Sequence, residues 1–249
     1  MNRAVVVYAT ARNKAAFDSD EHGGNPFASA LIRASQPGTP LRMLLRDVRR
    51  LTLEATRGKQ RPTWTLPAEA NAWKLAPDTF ELNESRIALV LVVHDYSLAG
   101  RAPLNGAALD ERRISAMLAS QGFSVTQAVG ASRSDISAAL RGFAKTSARH
   151  DAAAIYCTGH GLLGSEDTYL LPGNYPFSQQ ARESLLVRRA VPIQKLVESC
   201  RASKFNLVFF AGCRNLGSHV SEALGSGGAK VIKARESEAR ESEARESGL

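Results

Sequence analysis

Four short apolar runs constrain this chain more than any other feature: Ala4–Ala9 (AVVVYA), Ile87–Val93 (IALVLVV), Ala152–Tyr156 (AAAIY) and Leu207–Phe210 (LVFF). Each has strand length and is continuously apolar rather than alternating, the pattern of a strand buried on both faces. Phe123–Val129 (FSVTQAV) is a weaker fifth. Helical patterns separate them. Asp110–Ala119 carries Ile114, Met117 and Leu118 on one face, and Ser134–Ala144 opens on an N-cap-like Ser134 and repeats Ile136, Leu140 and Phe143. Val191–Ser199 and Leu41–Ala55 also read as helices. Strands alternating with helices predict an α/β fold with a mainly parallel sheet and helices on both faces.

No apolar run approaches the roughly 18 residues of a membrane span, and no basic-then-apolar leader opens the chain, so a cytoplasmic protein without a membrane partner is expected. Cys157, Cys200 and Cys213 are too few for a disulfide framework and lie in no zinc spacing, so no metal site is expected. The net charge of +8 permits a nucleic-acid partner. The arginines, however, are scattered among Glu and Asp with no basic stripe or interleaved aromatics, so no such partner is expected. No GxGxxG or Walker loop follows a strand, which disfavours a nucleotide-binding fold. The segment 62–85, with both tryptophans, reads as a connector partly packed on the body. Ala234–Ser247 repeats Ala, Arg, Glu and Ser without an apolar stripe; it cannot offset ordering entropy by burial and reads as a flexible, solvated tail.

Two strand ends carry the chemistry. Tyr156-Cys157-Thr158-Gly159-His160-Gly161 closes one run and Ala211-Gly212-Cys213-Arg214-Asn215 closes another. In a parallel sheet, ligands sit beyond the carboxyl ends of the strands. If these strands are neighbours, His160 and Cys213 reach one cleft as base and nucleophile. Gly161 lets its N–H approach a substrate, and with the Cys213 N–H it makes a candidate oxyanion hole. His94 and Asp95, ending another run, face the same edge and are candidates for shaping it or orienting His160; Cys157 and Cys200 read as structural.

Together these motifs resemble the large subunit of caspase-like peptidases, particularly bacterial metacaspase and paracaspase relatives. The resemblance runs from Ile87 to Asn215 through Asp110 at the opening of a helix, Gly122–Val125 (GFSV), T-G-H-G at 158–161, Tyr169-Leu170-Leu171-Pro172 and G-C-R-N at 212–215. The 53-residue step from His160 to Cys213 agrees with the spacing of about 50 in caspase-type sites. Val5–Pro62 resembles the small subunit, with Tyr8-Ala9-Thr10-Ala11, Asp18 and Asp20, Gly24-Asn25-Pro26-Phe27 and Thr56–Pro62 (TRGKQRP). The expected organisation is one caspase-like domain in circularly permuted order: 1–62 small-subunit-like, 63–85 connector, 86–226 catalytic, 227–249 tail. Its starting Met and near-complete set of parts favour permutation over a fragment of two tandem units.

The resemblance implies a cysteine endopeptidase acting on proteins or peptides through Cys213 and His160, with a catalytically silent signalling module as the alternative. Permutation removes the usual join between large and small parts, so activity without obligatory processing is expected. Relatives specific for basic residues use acidic side chains, and Asp110 and Asp18 match such positions. Ala211 departs from the Asp that often precedes the nucleophile by two. Arg is expected over Lys, because a carboxylate matches the guanidinium fork. Asp110 also reads as a helix N-terminal residue favoured by the macrodipole. Arg235, Arg240 and Arg245 are candidate self-cleavage sites, with Lys233 another. No cofactor is implied; calcium dependence is left open, because Asp18, Asp20 and Glu21 do not make a recognisable calcium loop. Oligomeric state is not legible.

Overall fold

The computed structural model of the chain describes residues 4–75, 77, 84–179 and 182–216. It begins with strand β1 (Val5–Tyr8), helices α1 (Pro26–Ala34) and α2 (Leu41–Ala55), and a short strand β2 (Thr63–Trp64). After a 3-10 turn at Ala68–Ala72 come β3 (Arg86–Val92), α3 (Asn105–Ser120), β4 (Ser124–Val129), α4 (Arg133–Ser147) and β5 (Ala152–Thr158). Then follow β6 (Gly161–Leu163), β7 (Thr168–Leu170), α5 (Glu183–Arg189), β8 (Val191–Pro192), α6 (Ile193–Ser199), β9 (Phe205–Phe210) and β10 (Asn215–Leu216).

The apolar runs become the middle of one six-stranded sheet, ordered β2-β1-β9-β5-β3-β4. All neighbours run parallel except β2, which is antiparallel to β1. Alternate residues serve opposite faces, as strand geometry requires. Ala88, Val90 and Val92 of β3 pack with Leu31 of α1, Leu45 of α2 and Ile114 of α3. Ile87, Leu89 and Leu91 pack with Leu140 of α4, Leu186 of α5 and Leu196 of α6. Being buried on both faces, these strands must be apolar throughout, which is why they stood out in the sequence.

Four local expectations change. Asp110 does not open its helix: α3 starts at Asn105, placing Asp110 in the second turn. Asn105 and Gly106 are poor helix formers, and Leu104 offers no side-chain cap. The cap comes from far away, as Asp18 accepts the N–H groups of Gly106 and Ala107, both at 3.1 Å. The cap of α4 is Ser132 rather than Ser134, in a reciprocal capping box with Asp135. The helix read at Val191–Ser199 begins at Ile193, because Pro192 holds the residue before it extended, and Val191 pairs with Leu170 in β8. The connector also contributes to the sheet: β2 lies within it, Arg49 covers the Trp64 ring at 4.0 Å, and Trp73 stacks near Phe205 at 5.6 Å.

A second, four-stranded sheet, ordered β10-β6-β7-β8, sits at the carboxyl edge of the first. It bears directly on the site, since β6 follows His160, β10 follows Cys213, and the two pair in parallel register, Asn215 with Leu162 and Leu216 with Leu163.

Candidate active site

The tips of β5 and β9 are adjacent, for the strands pair as far as Cys157 with Phe210, and the Ala211 N–H then donates to the Cys157 carbonyl at 2.8 Å. His160 and Cys213 therefore leave the same edge of the sheet, and the β6–β10 pairing fixes the segments beyond them. Gly161 lies between: a side chain there would collide with the Cys213 carbonyl and the Phe210 ring. A glycine at that point is first a condition for the close approach of the two loops.

The candidate base, His160, is held by aromatic residues. Fully buried Tyr96, just beyond β3, accepts the main-chain N–H of His160 on its hydroxyl at 2.8 Å and donates to the Leu171 carbonyl at 2.9 Å. Its ring lies 4.4 Å from the imidazole, and Phe177 meets the imidazole edge-on at 5.7 Å. Gly159 takes a φ of 152°, and a side chain there would press on the Tyr96 hydroxyl and on Val93. Burial in this setting, helped by the charge of Arg101, pushes the His160 pKa down to about 4. At neutral pH the imidazole is uncharged and able to accept a proton.

The candidate nucleophile, Cys213, is held differently. Its sulfur accepts the Ala16 N–H at 3.3 Å and donates to the Ala16 carbonyl at 3.5 Å, so its contacts come from the loop after β1, 197 residues away in sequence. Burial raises the Cys213 pKa; the Ala16 N–H opposes that rise and the negative charge of Asp18 adds to it. Thiol and imidazole are thus both neutral at rest, the protonation states from which general-base activation of a thiol starts.

The two acids expected to read a basic side chain are brought together but are already engaged. Asp110 is fully buried, accepting the Asn25 N–H at 3.1 Å and the Tyr156 hydroxyl at 3.4 Å, with an Arg113 nitrogen at 3.3 Å. Burial pushes its pKa up to about 7, against the Asn25 hydrogen bond and the Arg113 charge; Asp18 and Asp20 add to the rise. Asp18 spends both oxygens on α3, and burial raises its pKa too. Its charge nevertheless reaches Cys213, whose pKa it helps to raise.

The remaining candidates divide cleanly. Asp95 is exposed and accepts the Ser97 N–H at 2.8 Å, so it shapes a turn, and the residue contacting His160 is its neighbour Tyr96. Cys157 and Cys200 are buried, which raises both thiol pKa values and withholds them from chemistry. Arg235, Arg240, Arg245 and Lys233 lie outside the described residues. Among the described residues, no group of three or more His, Cys, Asp or Glu comes together as a metal site, and no helix is long and apolar enough to cross a membrane.

Sequence reading missed Tyr96, Phe177 and Ala16. Tyr96 carried a usable signal: it lies four residues past the end of β3, at the edge where β5 and β9 lead into His160 and Cys213. Ala16 carried none, since its contribution is backbone. The family model for the caspase domain matches residues 85–247, and that match takes in both reactive strand ends. A search of curated proteins found no match. With the parallel sheet, the paired strand tips and this match, the chain belongs to the caspase-domain family of cysteine-type peptidases.

Proposed function

We propose that the chain is an endopeptidase that cuts after basic residues, Arg in preference to Lys, through Cys213 and His160. The carrying observation is the adjacency of β5 and β9, which puts thiol and imidazole at one sheet edge with their following segments paired. Neutral His160 takes the Cys213 proton and the thiolate attacks the scissile carbonyl. The Gly161 and Cys213 N–H groups receive the developing oxyanion. The bond to nitrogen breaks as His160 returns the proton to the leaving amine. Water, deprotonated by His160, then hydrolyses the thioester.

The preference for a basic residue rests on the acids around the nucleophile. Asp18 raises the Cys213 pKa by its charge, and Asp18 and Asp20 both act on Asp110, so acidic side chains gather on that side of the cleft. The test is turnover of fluorogenic peptides ending in Arg, Lys or Asp by wild type and Cys213→Ala. Arg should be fastest, Lys slower, Asp inert, and the variant at least about 10³-fold slower than wild type. Faster cleavage after Asp sinks the specificity; no cleavage at all identifies a silent interaction module.

We further propose that the order of parts is permuted and that 1–62, 63–85 and 86–226 form one caspase-like domain followed by the 227–249 tail. β1 and β2, from the N-terminal part and the connector, extend the sheet beside β9, whereas the family match begins at residue 85. Activity should then need no cut between large and small parts, and the intact mass of active enzyme checks this. Trimming at Arg235, Arg240 or Arg245 is proposed as self-cleavage; an identical tail mass in wild type and Cys213→Ala after incubation removes it. The protein substrates, the cytoplasmic setting and the absence of nucleic-acid partners follow the same reading.

A further inference from the structure

We infer that Gln60 is a positioning residue for Cys213: its side-chain amide clasps both ends of the loop 10–16, and that loop holds the thiol. This deepens the peptidase reading above and rests on it. Gln60 is fully buried and lies just beyond the end of α2. Its Nε2 donates to the Ala9 carbonyl at 3.1 Å, and its Oε1 accepts the Phe17 N–H at 2.8 Å. Its backbone is anchored in turn, because the Gln60 N–H donates to the Thr56 hydroxyl at 3.0 Å and that hydroxyl donates to the Thr52 carbonyl at 2.7 Å. The two loop ends present one acceptor and one donor, and an amide matches both with a single planar group.

The loop needs such a clasp. Arg12, Asn13, Lys14 and Ala15 are exposed, so burial does not hold its middle. Backbone contacts with the 213–214 segment do so instead. The Asn13 N–H donates to the Arg214 carbonyl at 2.9 Å and the Arg214 N–H to the Lys14 carbonyl at 3.0 Å, while Ala16 meets the Cys213 sulfur through both its N–H and its carbonyl. Phe17, next to Ala16, has its N–H on Gln60 and its carbonyl on the Asn25 amide at 2.8 Å. Gln60 therefore fixes the loop one residue from the atoms that touch sulfur. Without the amide, two backbone groups lose their partners, and lifting of the loop toward water restores them. Burial outweighs the Ala16 N–H in setting the Cys213 pKa, so a lifted loop leaves the thiol easier to ionise.

The experiment uses Gln60→Met, which keeps the length of the side chain and removes both hydrogen-bonding atoms. Iodoacetamide labelling at neutral pH, read by peptide mass, should be about fivefold faster at Cys213 than in wild type. Cys157 and Cys200 are buried and stay protected while the fold is intact, so they report any general loosening. A Cys213 rate equal to that of wild type overturns the inference, and so does a rise shared by all three cysteines. Turnover of an Arg-coumarin peptide should show kcat about tenfold lower with KM little changed. An unchanged kcat also overturns it. Should the variant fail to fold, hydrogen exchange of wild type decides: the Phe17 amide should exchange as slowly as the amides of β9, and exchange at the rate of an open loop overturns the clasp. Wild type that turns over no substrate removes the peptidase reading, while the labelling contrast still decides whether Gln60 holds the loop on the thiol.

Discussion

The two candidate catalytic side chains follow adjacent strands yet are supported by different kinds of structure. His160 is held by its own half of the molecule, where Tyr96 and Phe177 pack against the ring and a buried hydroxyl ties its N–H to the Leu171 carbonyl. Cys213 is held by the other half, through the backbone of Ala16 and beside a carboxylate that also caps α3. A buried aromatic cluster fixes orientation by close packing. A loop contact fixes it only while the loop is docked. The candidate base is therefore fixed by packing among residues that follow β3, and the position of Cys213 depends on docking of the N-terminal segment.

Breaking the docking should have the largest effect. Asp110 joins the two halves through the Asn25 N–H, and its folded pKa of about 7 lies well above the ordinary carboxyl value of 3.8. The native state thus keeps a proton that the unfolded chain releases. The stabilising contribution is fully present below pH about 4 and is lost as pH rises through about 7, on the order of 4 kcal/mol in all. Urea denaturation across that range should show the decline in wild type and a flatter profile in Asp110→Asn; equal slopes contradict the assignment.

The resting protonation of the pair can be read next. With the Cys213 pKa raised, alkylation of Cys213 by iodoacetamide, followed by peptide mass, should rise about tenfold per pH unit from pH 7 to 9. A plateau across neutral pH means a thiolate–imidazolium pair instead. On the base side, Tyr96→Phe removes one oxygen and leaves the His160 N–H and Leu171 carbonyl without it, costing about 2 kcal/mol of stability. It should lower kcat more than it raises KM, while alkylation of Cys213 is unchanged, because the thiol is supported elsewhere. Equal losses in both readouts would falsify the separation of the two supports. The smallest effect is expected for Asp18→Ala, which uncaps α3 at a cost of about 1 kcal/mol. Unlike Tyr96→Phe it should lower the Cys213 pKa, shifting the alkylation profile toward lower pH.

These contrasts track what was legible. His160 and Cys213 were visible because both end apolar runs, and chemistry in a parallel sheet collects at such ends. Tyr96 lies three residues beyond such a run, after His94 and Asp95, where a tyrosine reads as a loop residue, and only its hydroxyl contacts reveal its task. Asp18 and Asp110 were identifiable as acids near the site; that one caps a helix 88 residues away and the other pairs with Arg113 was not. The misplaced start of α3 has the same origin, because Asn105 and Gly106 gain their helical conformation from a cap outside the local sequence.

The sequence by itself determined the strands, the alternation with helices and the choice of Cys213 and His160 as the candidate pair. These follow from local hydrophobicity, from period and from side-chain chemistry, which every segment carries with it. Tertiary structure alone decided which strand tips become neighbours, which backbone covers the thiol, and which protonation states the buried groups adopt. Those depend on proximity and on exclusion of water, properties that exist only once distant segments have packed.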